Sequence, residues 1–463
     1  MAGFIISLSK DAELNRVLEE GNFASNVTTE ENGIIKFNPL IFYSTLADYL
    51  SVKENDNVYF FQNRLIYGIG RIVKKANSCV FKNYEDCFSD NIEKNNTREF
   101  LTQEKNVNQR WVFLFEPSPK YFLNGVDMDD VLKYRPNSFR MIRAFENRTF
   151  IKIDDEENNA LKSFIFLRNK ENLSLDIVPK VYKEDFLKKF TFDIKNILKN
   201  GVNTNQSLKS EMQLEAYLVS LINKEVDYVS HQVIASPFKP ISYIDKMDIF
   251  AYKYLKNVTD VEVVEKYIVI ELKKEKAGNE TILQTMKYVD WVCDEYAAGD
   301  YSLIEAIIIA NDFSKKKIND SDFNFDEVIE RTFIQSTHPI KSLRWNNLNC
   351  YKYSVDTEKN LLNFEKVNLY DSVIYFKSKI KSLVDSKLIK ANNKITINKV
   401  DYKAIMRLKG IKNIEIFEEI PENSILHNEE EINNQKQILY FISKNDSRYD
   451  IDKLVEKIIK NIN

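Results

Sequence analysis

The stretch KYIVIELKKEKAG, Lys266 to Gly278, decides how the chain is read. Its apolar positions alternate, so Tyr267, Val269 and Glu271 fall on one face of a strand and Ile268, Ile270 and Leu272 on the other. Glu271 and Lys273, two apart, therefore share a face. Upstream, KMDIFAY (Lys246 to Tyr252) places Asp248 early in a second alternating run. Before that, SEMQLEAYL (Ser210 to Leu218) reads as a helix, with Leu214, Leu218 and Leu221 at the spacing of a buried stripe. Downstream, ILQTMKYVDWV (Ile282 to Val292) returns to helix. LIEAIIIAND (Leu303 to Asp312) is nearly all apolar, as a strand covered on both faces is. The predicted order is helix, three-strand meander, helix, strand, with Tyr351 to Val367 adding a hairpin. This is an α/β fold, a central mixed sheet flanked by helices.

The residue types point to phosphodiester hydrolysis. Asp248 and Glu271 brought to one sheet edge repel unless a cation or proton lies between them. Mg²⁺, for which Mn²⁺ can substitute, is a hard ion that takes oxygen ligands and commonly uses one or two carboxylates, so the expected metal ligands are Asp248, Glu271 and the carbonyl of Leu272. Such an ion generates hydroxide and stabilises charge on phosphoryl oxygens. Lys273 orients or deprotonates the attacking water and balances phosphate charge. Glu211, on the preceding helix, is a further acidic group acting through water; Glu215, one turn on, shares its face. Lys274 and Lys276 extend the cationic edge toward phosphates.

The ordered set of Glu211 on a helix, Met247-Asp248-Ile249, Glu271-Leu272-Lys273 and Gln284-Thr285-Met286-Lys287-Tyr288-Val289 resembles the PD-(D/E)XK nuclease superfamily, with spacing most like its NucS/EndoMS branch. The resemblance spans Glu211 to Asp312 and departs from the pattern in lacking a proline before Asp248. It implies a restriction-endonuclease-like sheet, adds Gln284 to the catalytic set, and places Lys287 among the DNA contacts.

Composition sets the frame for the rest. The 463 residues, 44% hydrophobic and 29% charged, suit a soluble globular chain with about two or three cores. A net charge of −3 gives no global attraction to nucleic acid, so any basic surface is local. Cys79, Cys87, Cys293 and Cys350 form no C-x-x-C pair, and His231, His338 and His427 are scattered, so zinc and disulfide frameworks are not indicated. No apolar run reaches the ~18 residues of a membrane span, and no signal-peptide pattern opens the sequence. The expectation is a reducing cytoplasm and no membrane.

Four segments follow. Residues 1–170 read as short strands, among them Asn57 to Phe61 and Leu65 to Ile72 around a Gln62-Asn63-Arg64 turn, and Arg110 to Phe115. The phrase Asn57-Val58-Tyr59-Phe60-Phe61, Ile66-Tyr67-Gly68-Ile69-Gly70-Arg71-Ile72, then Arg110-Trp111-Val112-Phe113 resembles PUA-like domains of the EVE branch, which implies a small barrel reading an extruded base. Trp111, Tyr67, Phe139 and Tyr121 are the rings for it, with Arg110, Arg135 and Arg140 as basic neighbours; Trp111, Arg135 and Tyr67 are the chosen nucleic-acid contacts. Gly68 and Gly70 match no phosphate loop and read as a bulge. Residues 171–204 form a helical linker, Tyr182 to Lys199 being one helix, that lets the reader swing. Residues 205–367 are the nuclease domain. Residues 368–463 are a mostly helical or winged-helix-like module, with Val373 to Ile389 as a helix and Asn428 to Gln437 as plain surface.

The expected function is thus a Mg²⁺-dependent DNA endonuclease restricting modified or foreign DNA. The alternatives are a mismatch or branched-DNA repair nuclease, and a non-catalytic nucleic-acid-binding or assembly subunit. RNA stays open as a substrate. A homodimer would allow double-strand cleavage, and a further defence-system subunit is a conceivable partner.

Overall fold

The chain runs β1 (Gly3–Ser7), α1 (Leu14–Glu20), β2 (Asn22–Asn26), β3 (Thr29–Glu31), β4 (Ile34–Lys36), α2 (Pro39–Leu50), β5 (Asn57–Gln62), β6 (Leu65–Ile72), β7 (Val80–Lys82), β8 (Gln109–Pro117), β9 (Val126–Asp127), α3 (Met128–Tyr134), β10 (Phe150–Ile153) and α4 (Asp155–Arg168). After α5 (Glu184–Lys188) and α6 (Asn196–Lys199) come α7 (Glu211–Ile222), β11 (Tyr228–Ala235), β12 (Asp245–Tyr254), β13 (Val264–Ala277), α8 (Asn279–Glu295), β14 (Ile304–Phe313), β15 (Arg331–Gln335), β16 (Lys341–Trp345), β17 (Leu348–Asp356) and β18 (Leu361–Val367). The chain ends with β19 (Ala391–Asn392), β20 (Tyr402–Leu408), β21 (Asn413–Glu419), β22 (His427–Ile432), β23 (Gln435–Ile442) and α9 (Arg448–Ile462). The structure is a computed structural model; it describes residues 1–8, 14–26, 29–31, 34–36, 38–85, 87–88, 109–117, 122, 124–144, 150–171, 178–199, 202–203, 206–235, 245–256, 262–314, 328–335, 340–367, 369, 375–376, 379–380, 391–392, 402–408, 413–419, 427–432, 435–442 and 448–462.

Two compact units are present, the first comprising residues 1–277, 284–312 and 331–365, the second 278–283, 313–330 and 366–463. In the first, an eight-stranded half-barrel sheet runs β10-β1-β5-β6-β8-β2, with β7 paired to β8 and β9 to β6. Asn63 and Arg64 both take left-handed backbone (φ 52° and 67°), which a two-residue loop between right-twisted strands requires. The expected bulge is there: Val58 pairs with Gly70 and Phe60 with Tyr67, leaving Gly68 (φ 52°) in the extra position.

The second sheet of this unit is mixed and six-stranded, β11-β12-β13-β14-β17-β18. The meander β11, β12, β13 is antiparallel and β14 pairs parallel with β17. Helix α7 precedes the meander and α8 joins β13 to β14, the element order read from the sequence. Leu214 and Leu218 are buried and Leu221 packs at the margin of the core. Helix α2 starts cleanly because Asn38 Oδ1 accepts from Leu40 N at 3.0 Å and Pro39 presets the first turn. It packs on α7, and one hydrophobic cluster runs from Phe4 and Phe113 of the half-barrel through α2 to Ile249, Ile270 and Leu362.

The stretch expected as a swinging linker is packed instead. Tyr182 to Lys199 is two short helices rather than one, because Leu187 and Phe190 turn inward onto Phe81 and Val112, and Ile197 and Leu198 onto the main core. Backbone bonds from Lys82 N to Phe190 O (2.7 Å) and Lys180 N to Glu19 O (2.7 Å) fix it. A second correction concerns the C-terminal region, expected to be mostly helical, whose described residues hold more strand than helix. Five strands form a sheet β19-β20-β21-β23-β22, and Asn428 to Gln437 supplies most of β22 and the start of β23. Alternation in NIEIFEE and the run ILYF outweigh the acidic and amide composition there. Helix α9 buries Ile451, Leu454 and Ile458 along one stripe. Of the helix expected over Val373 to Ile389, residues 375–376 and 379–380 are helical and the others lie outside the described residues.

Candidate active site

The acidic cluster sits where β12 and β13 part. Their ladder pairs Ile249 with Ile270 and carries no further rung, which brings Asp248 and Glu271 to the end of the pairing. There the Asp248 side chain takes over the role of a ladder carbonyl: its Oδ2 accepts from Leu272 N at 2.8 Å. Buried Met247 and Ile249 on either side fix the strand's facing, so the carboxylate is held by packing as well as by the hydrogen bond.

Glu271 is 1% exposed. Its Oε1 accepts from Lys273 Nζ at 2.8 Å, while its Oε2 is buried with no hydrogen-bond partner among the described residues. Lys273 Nζ also donates to Leu272 O at 2.8 Å and lies 3.9 Å from Glu211 Oε1. Burial, then the facing charges of Glu271 and Glu215, push Asp248 up to about 8 against the pull of Leu272 N–H and Lys273. Burial raises Glu271 as well, with Lys273 opposing and Glu211 and Glu215 adding to the rise. Burial alone would lower Lys273, but Glu271, Glu211 and Asp248 together hold it above the ordinary lysine value. The site thus gathers more acid than base, and burial makes both Asp248 and Glu271 harder to ionise than they are in water.

These residues fit a divalent cation in one respect and resist it in another. Among the described residues Glu271 Oε2 is buried and unpartnered and Asp248 Oδ1 has only a 3.4 Å contact from Gln232 Nε2, so both are oxygens without an adequate hydrogen-bond donor opposite. The Leu272 carbonyl is engaged by Lys273, which would have to yield for it to act as the third ligand. Among the described residues no three His, Cys, Asp or Glu side chains form a ready-made metal group, so the protein side chains that could hold an ion here are the two carboxylates.

Glu211 and Glu215, one turn apart on α7, meet different partners. Glu211 is one-third exposed and its Oε2 accepts from Lys274 N at 3.1 Å, tying α7 to β13. Glu215 is 1% exposed and faces inward to His231 Nδ1 at 2.8 Å. Gln284 Nε2 donates to the Tyr288 hydroxyl at 2.9 Å, and that hydroxyl donates to Lys246 O at 2.8 Å, so Gln284 buttresses the strand carrying Asp248. The outer lysines already face acids: Lys274 Nζ lies 3.8 Å from Glu275, Lys276 3.6 Å from Asp312, and Lys287 3.4 Å from Asp245.

The rings chosen as base readers do not converge. Trp111 is 0% exposed, packed among Phe42, Phe88 and Phe192, and cannot stack on a base. The reason is that β8 is covered on both faces: Trp111, Phe113 and Phe115 join the large core, and Val112 and Leu114 the small one. Phe139 is buried too. Tyr67 is half-buried and closes on Gly125, where a Cβ would meet its ring at 2.8 Å. Arg110 is buried over Phe42, with its Nη1 donating to Cys87 O at 3.1 Å. Arg140 is buried between Asp154, Glu156 and Glu295 and over the Tyr296 ring. Arg135 is exposed, 5.5 Å over Tyr134. Tyr121 lies outside the described residues.

What the sequence missed is a second layer behind Asp248. Asp48 Oδ1 meets His231 Nε2 at 2.5 Å, and Gln232 Nε2 lies 3.4 Å from both Glu215 Oε1 and Asp248 Oδ1. Gln232 takes φ 49°, a left-handed conformation that costs a non-glycine residue about 1–2 kcal/mol. No signal in the sequence marks it, and Asp48 stands 183 residues from His231. In comparison with known proteins, no family model and no curated protein matches this chain.

Proposed function

We propose that the chain is a Mg²⁺-dependent endonuclease of PD-(D/E)XK type that hydrolyses DNA phosphodiesters, working in restriction of foreign DNA. The observation that carries the reading is the placing of Asp248 near Glu271 where the two strands part, close enough for their charges to oppose each other, with no partner for buried Glu271 Oε2 among the described residues. The order α7, three-strand meander, α8, β14 supports a restriction-endonuclease-like fold, and the half-barrel sheet supports a PUA-like one.

The ion, when bound by Asp248 and Glu271, supplies charge stabilisation on the phosphate and an acidified water. Lys273 has the geometry to release Glu271 Oε1 and turn its ammonium toward a scissile phosphate or its attacking water. Gln284 and Tyr288 hold β12 in place while this happens. Because Trp111 and Phe139 belong to the core, recognition of modified bases has to rest on other residues. The non-catalytic reading keeps one observation in its favour, the ammonium of Lys273 already filling the gap beside Glu271.

Incubation with plasmid, modified phage DNA, mismatched duplex and RNA, each with Mg²⁺, Mn²⁺ or EDTA, separates the readings. Cutting that requires metal and disappears in Asp248→Ala, Glu271→Ala and Lys273→Ala while DNA binding persists supports the nuclease. Equal cutting by those variants overturns this site, and metal-independent binding without cutting favours the silent subunit.

A further inference from the structure

We infer that Asp48 and His231 form a brace through which the N-terminal part of the chain orients Asp248, acting by way of Glu215 and Gln232. His231 is a positioning residue here, since it touches neither carboxylate proposed to hold the ion. The inference rests on the nuclease reading for its consequence, though not for its geometry.

His231 lies on β11, 5% exposed, with a carboxylate on each ring nitrogen: Glu215 Oε1 from α7 at 2.8 Å and Asp48 Oδ1 from α2 at 2.5 Å. A neutral imidazole donates from one nitrogen only, so two acceptor partners require the imidazolium. Burial alone would lower its pKa, but Asp48 and then Glu215 raise it to about 10, and the ring stays charged at neutral pH. One buried cation therefore joins an acid of α2 to an acid of α7. Losing Asp48 would leave a buried imidazolium with half its compensation.

The backbone shows that the next link is built. Consecutive residues of a strand point to opposite faces, so His231 and Gln232 should not both reach one carboxylate. They do, because Gln232 is left-handed (φ 49°) while His231 and Val233 on either side keep their pairing with Ile249 and Met247. The twist turns the amide back so that Nε2 lies 3.4 Å from Glu215 Oε1 and 3.4 Å from Asp248 Oδ1. A strained conformation inside an otherwise regular strand persists only where surrounding structure enforces it, and the contacts it makes here run toward Asp248. A cavity of about 280 Å³, lined by Ser44, Thr45, Asp48, His231, Gln232 and Lys246, lies beside the brace and leaves Asp48 room to be replaced without repacking the core.

The test compares wild type with Asp48→Asn, His231→Gln and Gln232→Gly. It measures Mn²⁺ affinity by electron paramagnetic resonance, kcat and KM for plasmid nicking, and hydrogen exchange of the backbone amides over residues 245–254. Asp48→Asn and Gln232→Gly are expected to weaken Mn²⁺ binding and lower kcat by about 10-fold to 100-fold, the usual cost of disturbing groups behind a ligand, with KM for DNA little changed. Exchange over 245–254 is expected to quicken while that of α4 stays as in wild type. Should His231→Gln fail to fold, Asp48→Asn and Gln232→Gly still decide, since neither removes a core side chain. Unchanged Mn²⁺ affinity and kcat in both would overturn the brace, as would a uniform rise in exchange throughout the chain. If wild type neither binds Mn²⁺ nor cuts, the nuclease reading falls; the brace is then judged by exchange alone, quickening at 245–254 upholding it and no change sinking it.

Discussion

The half-barrel and the central sheet both bury polar chemistry, and they differ in what each buried group faces. Around β8 the rings enclose one another, Trp111 against Phe42, Phe88 and Phe192, and the Arg110 guanidinium lies over the Phe42 ring. The Trp111 indole N–H lacks a partner among the described residues, but the side chain is fully buried as well. At the end of β12 and β13 two carboxylates face each other with one ammonium between three acids, and an oxygen of Glu271 is left unmatched. Aromatic and basic residue types announced a site in the first region and built a core. In the second, folding left an electrostatic imbalance, and imbalance is what a ligand can resolve.

The largest expected effect tests that imbalance. Asp248→Ala or Glu271→Ala is expected to lower the nicking rate about 10⁴-fold, roughly 5 kcal/mol on the barrier, while leaving stability unchanged or higher, because the cost of burying two acids side by side is relieved. Plasmid nicking alongside thermal unfolding reads both. A variant that cuts poorly because it has lost several degrees of stability would mean that these carboxylates are structural, like the rings of β8.

The same comparison predicts the reverse behaviour for Trp111. Trp111→Ala removes a large ring from a closed cluster and is expected to cost about 3–5 kcal/mol, read by denaturant unfolding, with DNA affinity per folded molecule unchanged. Loss of DNA binding without loss of stability would restore Trp111 to the reader set.

These two outcomes follow the line between what the sequence makes legible and what it conceals. Strand alternation encodes facing, so Asp248, Glu271 and Lys273 could be placed on one side from the sequence alone, and the helix–meander–helix–strand order with them. Alternation carries no such information for β8, where Trp111-Val112-Phe113-Leu114-Phe115 is apolar at every position; that continuity was itself the sign of a strand covered twice. Asp48 and His231 were invisible for a different reason, since their contact depends on α2 packing against α7 and no local pattern encodes it. Tyr182 to Lys199 has helical spacing, but its apolar residues serve two cores, and tertiary packing broke the helix.

A smaller effect should appear in the pH dependence of stability. Asp248, raised from 3.8 to about 8, keeps its proton in the folded chain and loses it in the unfolded chain between those values. Stability contributed by this group is therefore greatest below about pH 4, falls as pH rises toward about 8, and is level above that. A divalent ion favours the ionised carboxylates and opposes the trend, so the rise in Tm given by Mg²⁺ is expected to grow between about pH 5 and pH 8. In Asp248→Asn both the decline and the growth should flatten. A Mg²⁺ shift independent of pH, or undiminished in the variant, would place the ion elsewhere.

The smallest effect concerns the rim. Lys276 is two-thirds exposed and its ammonium lies 3.6 Å from Asp312, which also faces Lys352 at 3.4 Å. Such surface pairs contribute little to stability, and a cation already shared with an acid loses part of its attraction for phosphate. If Lys276 nonetheless meets the DNA backbone, Lys276→Gln is expected to weaken binding only a few-fold and to reduce the slope of log affinity against log salt by about 1, equally for every sequence tested. Asp312→Asn separates the possibilities, because freeing Lys276 and Lys352 from their shared acid should tighten binding if they face the backbone and change nothing if they do not. A salt slope identical in all three proteins would leave the edge beyond Lys273 outside the DNA footprint, and would confine phosphate recognition to the same few groups whose charges the fold leaves unbalanced.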